Sequence, residues 1–345
     1  MHQNVKNKKI RMHKAFFLFL FFSSAIFSQQ EDFTHLNFKQ VDAFAKSYKT
    51  KRNFDVRATT LILTEKYTTA IEKLRSIYIW ICHNIANDYN LYALNSRKRT
   101  KFLKDSIRLQ KWNSTFKKKL FKKLLRNKRT ICTGYAYLLK EMCEIAGIEA
   151  KIVNGFGRVS TQDVTQLIEP NHSWNIVKIE DKWYFCDPTW ATGISYPELG
   201  KFEFNYNDGY FLTTPEIFIF NHYPVKPEYT LLKNNITFND YSSLPLLYAA
   251  AYQYLENHSK PNKMHHEIKK NESFTFTYQL KKEIDVSSIR FVFIDGYTEK
   301  TIQPKIQFKE GKLTLKHTFD KKGFYDVHLY IEKSIIATYT LNVTL

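Results

Sequence analysis

The chain has 345 residues, 43% of them apolar, which is room for a sizeable core and two domains. Its formal charge of +19 suggests a polyanion binder until it is located: residues 1–28 hold five cations and no acid, residues 97–129 hold fifteen Lys or Arg against Asp105 alone, and the remainder is neutral. With no recognition motif and an expected place outside the cytoplasm, that distribution argues against nucleic acid as a partner.

In chain order, Lys6, Lys8, Lys9, Arg11 and Lys14 precede an apolar run over 15–27, and the small Ser28 stands before Gln29, Gln30 and Glu31. This charged, apolar, small layout predicts a secretory signal peptide over 1–28. The run is too short to span a bilayer comfortably, and no other segment is a transmembrane candidate. A secreted, periplasmic or cell-surface protein is therefore expected.

Within 97–129, Leu109, Trp112, Phe116, Leu120 and Leu124 recur at helical spacing, joined by Phe121 and Leu125. The pattern predicts one amphipathic helix, cationic outside. Such a face suits an anionic membrane surface, a polysaccharide or an acidic protein; the plain alternative is a solvated cationic face.

Residues 130–147, T-I-C-T-G-Y-A-Y-L-L-K-E-M-C-E-I-A-G, predict a helix with Ala136, Leu139, Met142, Cys143 and Ala146 on its apolar side, Thr130 as a cap and Gly147 just past the end. Cys132 then falls in the first turn, where unpaired N–H groups and the positive end of the helix dipole favour thiolate over thiol. Residues 172–190, H-S-W-N-I-V-K-I-E-D-K-W-Y-F-C-D-P-T-W, predict a β-hairpin turning at Glu180 and Asp181. If Ile179 faces Lys182, Asp187 faces Trp174, and His172 lies diagonally on the same face. A slip of one residue would send the aspartate to the other face. Cys132, His172 and Asp187 thus form a candidate catalytic set of thiol, base and orienting acid.

These residues resemble the transglutaminase-like superfamily, which has a papain-like fold, in the branch of the kyphoscoliosis peptidase and cytokinesis protein 3 type of domain. The matching blocks are Y-I-W-I-C-H-N-I-A-N-D-Y at 78–89, R-T-I-C-T-G-Y-A at 129–136, N-H-S-W-N-I-V at 171–177, W-Y-F-C-D-P-T-W-A-T-G at 183–193 and F-L-T-T-P-E-I-F-I-F-N-H-Y-P at 211–224. The resemblance places Cys132, His172 and Asp187 on the family's nucleophile, base and acid. Thr130 and Ile131 stand where Gly and Val commonly precede the nucleophile. Trp80 and Trp112 lie upstream, where related enzymes place an oxyanion donor, though helix packing is the expectation for Trp80. Trp174, Trp183 and Trp190 are expected as core or cleft wall.

Further on, residues 242–257 predict a helix after Pro245, and 260–263 a linker. From about 268 the pattern is of strands, at 274–280, 289–294, 305–308, 313–317, 324–332 and 335–345, and it predicts an immunoglobulin-like sandwich. The expected organisation is a signal peptide at 1–28, a transglutaminase-like domain at 29–232 containing the basic helix, a helical linker at 233–264 and a β-sandwich at 265–345. The fold class is α+β, a papain/transglutaminase-like core of helices packed on an antiparallel sheet, followed by an all-β domain.

Cys143 lies eleven residues beyond Cys132 on one helix, roughly 16 Å away by helical rise and beyond disulfide reach. Cys82, Cys143 and Cys186 are expected mostly as core thiols. No C-x-x-C or H-E-x-x-H occurs, so no metal or cofactor is expected. The resulting expectation is an exported cysteine enzyme acting on protein or peptide amides, with hydrolysis favoured over cross-linking. The alternative is a non-catalytic surface or interaction module of the same fold.

Overall fold

The computed structural model describes residues 31–33, 36–296 and 298–345, so the signal peptide expected over 1–28 lies outside the described residues. Three helices come first, α1 (Lys39–Ser47), α2 (Val56–Thr64) and α3 (Ala70–Asn84). α3 buries Ile71, Leu74, Ile77, Tyr78, Ile79, Trp80 and Ile81, the all-round apolar surface of a helix enclosed by its neighbours. Its buried Arg75 forks onto both oxygens of Asp42 in α1, at 2.7 and 2.8 Å, and also pairs with Asp208, so its charge is compensated in the interior.

The cationic stretch expected as one helix is two. α4 (Tyr89–Phe102) and α5 (Ser106–Asn127) are separated at 103–105, where Asp105 accepts a hydrogen bond from Arg108 N at 2.9 Å and caps a new helix. The N-cap preference of an aspartate outweighs the continuous apolar spacing there. The pair forms a hairpin with a small core of its own, Leu91, Phe116, Leu120 and Ile131, flanked by Tyr92 and Trp112. Lys117, Lys118, Lys119 and Lys122 are exposed, whereas Lys123 pairs with the buried Asp88 at the start of α4.

α6 (Cys132–Ile145) packs on a five-stranded sheet of β1 (Ala150–Gly157), β2 (His172–Ile179), β3 (Lys182–Cys186), β4 (Phe211–Thr213) and β5 (His222–Pro224). The spatial order is β4-β3-β2-β1-β5, and every pairing is antiparallel. The β2–β3 hairpin has Ile179 opposite Lys182 and Asn175 opposite Cys186, the register that a turn at Glu180 and Asp181 requires. β2 is buried along nearly its whole length, which is why its sequence alternates only in part.

Residues 242–257 are not a helix. A short helix, Phe238–Ser243, is opened by a capping box of Thr237 and Asp240, and Pro245 holds Leu244 extended. The chain then enters the sandwich through β6 (Leu246–Leu247), a single turn at Ala251–Tyr254 and β7 (Leu255–Lys260). The expected linker is thus largely sandwich, because strand pairing with distant partners overrides local helix propensity.

β8 (His265–Lys269), β9 (Ser273–Leu280), β10 (Ile289–Asp295), β11 (Thr298–Ile302), β12 (Lys305–Lys309), β13 (Lys312–Thr318), β14 (Gly323–Ile331) and β15 (Ser334–Thr344) complete it. One sheet runs β6-β15-β14-β10-β11, with β8 parallel to β15; the other runs β7-β9-β13-β12. Phe276, Tyr278, Phe291, Leu315, Leu329 and Tyr339 are buried among them, and the buried apolar residues of both halves form one contiguous cluster. The fold is therefore a mixed helix and sheet core followed by an all-β region.

Candidate active site

Cys132 is the first residue of α6. The residue before it, Ile131, is extended and makes no side-chain cap; Thr130, expected as the cap, instead lies against Gly134, where a Cβ would fall 1.8 Å from its hydroxyl. The first intrahelical bonds are donated by Gly134 N and Tyr135 N to Ile131 O, at 2.8 and 3.1 Å. The N–H groups of Cys132 and Thr133 therefore stand at the open, positive end of the helix.

Asp187 directly follows β3 and is entirely buried. It caps α7 (Pro188–Thr192), its Oδ1 accepting from Thr189 N at 2.8 Å and Trp190 N at 3.2 Å. Pro188 both ends the strand and opens this helix, where its missing N–H costs nothing. Oδ2 is left for His172, whose Nε2 lies 2.8 Å away.

His172 opens β2 opposite Gly155. Trp190 stacks on its ring at 4.8 Å with planes 22° apart, and a Cβ at Gly157 would come within 2.9 Å of the His172 Cβ. A glycine is what lets the ring lie there. With Nε2 on Asp187, Nδ1 is the nitrogen left to face Cys132, which lies close enough for His172 to bear on its ionisation. The structure thus brings Cys132 and the hydrogen-bonded pair of His172 and Asp187 together in one site.

Residues 57–188 match the model of the Transglutaminase-like superfamily. This segment is a transglutaminase-like domain. Across 198 residues, 57% of this chain, the sequence is 32% identical to the human (Homo sapiens) kyphoscoliosis peptidase, covering 27% of that protein. It is 25% identical to hillarin of Drosophila melanogaster over 64% of this chain and 26% of the relative. To cytokinesis protein 3 of Schizosaccharomyces pombe it is 24% identical over 64% of this chain and 23% of the relative. The chain spans about a quarter of the length of these relatives.

The electrostatics of the transglutaminase-like domain separate one cysteine from three. Burial opposes ionisation of Cys132, yet the hydrogen bond and charge of His172 and the Ser173 backbone outweigh it and hold the thiol below its usual range. Burial instead pushes Cys82 and Cys143 far up and Cys186 to about 12. All four are free and buried. For His172 burial favours the neutral ring, but the charge and hydrogen bond of Asp187 prevail, with help from Cys132, and raise it to about 10. Burial likewise works against the Asp187 carboxylate; His172, then His222, hold it well below the usual carboxylate range. His172 and Asp187 therefore favour the thiolate at Cys132, while burial favours the thiol at the other three cysteines.

His222 is the residue sequence reasoning missed. It opens β5, is buried, and its Nε2 lies 3.1 Å from the same Asp187 Oδ2. Burial, followed by opposing contributions from Asp187, leaves it at about 4, so it is neutral and donates its Nε2–H. The signal available was a histidine flanked by aromatics in F-N-H-Y-P at 220–224, within a block already singled out.

Both tryptophans considered as oxyanion donors are committed elsewhere. Trp80 Nε1 donates to Tyr48 O at 3.1 Å, and Trp112 Nε1 to Asn95 Oδ1 at 3.0 Å. Trp174 is core, Trp183 lies under Lys151, and Trp190 walls the site. His172, Asp187 and His222 place one donor atom each within 4.8 Å, a set that could enclose a cation. The two Nε2 atoms converge on one oxygen at hydrogen-bond distance, so a cation would have to displace both contacts.

Proposed function

We propose that the chain is an exported cysteine enzyme that performs acyl transfer on protein or peptide amides. The observation that supports this best is the grouping of Cys132 with the hydrogen-bonded His172 and Asp187, which lowers the Cys132 thiol while burial raises the other three cysteines. In this reading Cys132 Sγ attacks the carbonyl carbon, and the backbone N–H groups at the start of α6 stabilise the oxyanion. His172 gives its Nδ1 proton to the leaving amine as the C–N bond breaks and a thioester forms. Water then attacks the thioester, His172 takes its proton, and the acid leaves as the C–S bond breaks, restoring the pair. An amine in place of water would give cross-linking; hydrolysis is slightly favoured because water is abundant. Export rests on the layout of residues 1–28.

The test is labelling with iodoacetamide at pH 7, followed by a screen of peptide amides. Rapid modification of Cys132 alone, and turnover lost in Cys132→Ala, are expected. A Cys132 no faster than Cys82, Cys143 and Cys186 would reduce the fold to a non-catalytic interaction module.

A further inference from the structure

A concave site lies where the C-terminal end of α5 meets the loop after α1. Thr50, Arg52, Arg126, Asn127, Lys128 and Arg129 line a cavity of about 660 Å³. Four of the six are cationic, and none of the four is ion-paired among the described residues. Asp88, in the segment that pairs with Arg129–Thr130, is engaged with Lys123. Crowding four like charges without a counterion costs folding energy, and a bound anion offsets that cost.

The walls are held in place by polar contacts that leave the charges uncompensated. Lys128 takes a left-handed backbone, φ 52°, and its ammonium meets the Thr50 carbonyl; Arg129 Nη2 donates to Asn87 O at 3.0 Å; Asn53 N donates to Leu125 O at 2.9 Å and ties the loop to the helix end. Two segments remote in sequence thereby form one preorganised rim. Thr50 also lines the cavity, and its buried hydroxyl has no hydrogen-bond partner. Three guanidinium forks and an ammonium suit tetrahedral oxyanions, whose oxygens arginine engages in pairs. The volume falls in the range of small-molecule sites, about 300–1,000 Å³, and exceeds what one phosphate group fills.

From this geometry we infer that the cavity is a binding site for a multivalent phosphate or sulfate ester group, separate from the Cys132 site and independent of its chemistry. The two are close in the chain, since Arg129 precedes Cys132 by three residues and pairs, through the two-residue bridge of Arg129–Thr130 with Ala86–Asn87, to the segment that starts α4.

The experiment is calorimetric titration of the purified full chain with pyrophosphate at low salt, beside sedimentation with phosphatidylcholine vesicles containing phosphatidic acid. Pyrophosphate should bind, and the double variant Arg52→Gln, Arg126→Gln, both exposed residues, should weaken binding by about tenfold or more with no fall in Tm, since it also relieves the crowding of like charges. The control Lys118→Gln, Lys122→Gln on the open face of α5 should change Kd by less than about twofold. Vesicle binding that pyrophosphate displaces assigns the ester to a lipid headgroup; pyrophosphate binding without vesicle binding assigns it to a soluble ligand. Absence of pyrophosphate binding, or equal losses in the two double variants, overturns the site.

Discussion

His222 and His172 share one oxygen, Oδ2 of Asp187, at 3.1 and 2.8 Å, while Oδ1 takes two backbone N–H groups of α7. Every hydrogen bond on this buried carboxylate therefore has a fixed direction, and His222 acts on the site by positioning Asp187. His222→Phe should keep the stacking on Phe218 but lose the donor, and the pH profile of Cys132 alkylation should shift upward as the Asp187–His172 alignment loosens. His222→Gln should recover part of the shift. An unchanged profile in the Phe variant would remove His222 from the site.

Cys132 alkylation itself should reach its plateau at lower pH than that of an ordinary thiol, because its thiol lies below the usual range. An ordinary thiol slows about tenfold for each pH unit below its pKa. Stopped-flow rates with iodoacetamide between pH 6 and 9 decide this, and a profile matching that of a free thiol would mean that His172 does not favour the Cys132 thiolate. Asp187→Asn should lower turnover on the order of a thousandfold or more, by the tautomer argument known from serine triads.

Gly157 makes a steric prediction. In Gly157→Ala the new methyl would press on His172 Cβ and Cγ, at 2.9 and 3.1 Å, and on Trp190 at 3.2 Å. Overpacking of this kind costs about 1–3 kcal/mol. Slower Cys132 labelling, with a modest fall in Tm, is expected; wild-type labelling would show that His172 has room to move.

Acid should destabilise the fold through two buried histidines. His222 and His258 are buried and neutral, each at about 4 against an ordinary 6.5. The unfolded chain binds those protons first, so stability falls as pH drops from about 6.5 toward 4, by up to roughly 3 kcal/mol per histidine. His172, raised to about 10, acts oppositely: its contribution is complete below 6.5 and is lost as pH climbs through 10. Tm measured from pH 4 to 10 should be highest between these limits. His258→Phe should flatten the acid limb, and an acid limb as steep as before would assign it to other groups.

Arg99 in α4 pairs with Glu169 at 2.8 Å, in the loop leading to His172, and Tyr92 of the same helix is close enough for Cys132 to affect its ionisation. The hairpin α4–α5 thus bridges from the cysteine side toward the histidine side. Both partners are about a third exposed, so Arg99→Ala should cost no more than about 1 kcal/mol. Bulky maleimides should nevertheless reach Cys132 faster in that variant. Equal rates for large and small reagents in both proteins would count against a cover.

What was legible in the sequence is what local chemistry determines. The turn at Glu180 and Asp181 sets the hairpin register, and with it the face that Asp187 shares with His172. The six strands from 274 onward were readable because turns punctuate them. Three features were not, two because they depend on distant partners and one because a single local cap overrides a pattern. The strand at Leu246–Leu247 exists through pairing with Ala337 and Thr338; the break in the basic helix reflects one N-cap within a continuous apolar stripe; and His222 reaches Asp187 across 35 residues. Periodicity carries no trace of such pairings.

The junction between the two halves extends the site beyond its own sheet. Asn221, next to His222, donates its amide to Arg158 O and Leu247 O and accepts from Tyr252 OH, while Tyr252 stacks on Tyr210 at 4.4 Å. A polypeptide cut at 188, where the family match ends, would keep Cys132, His172 and Asp187 yet strip the carboxylate of Thr189 N, Trp190 N and His222 and open it to water. The shortest piece of this chain able to hold Asp187 as it is held here runs past Tyr252, into the β-sandwich.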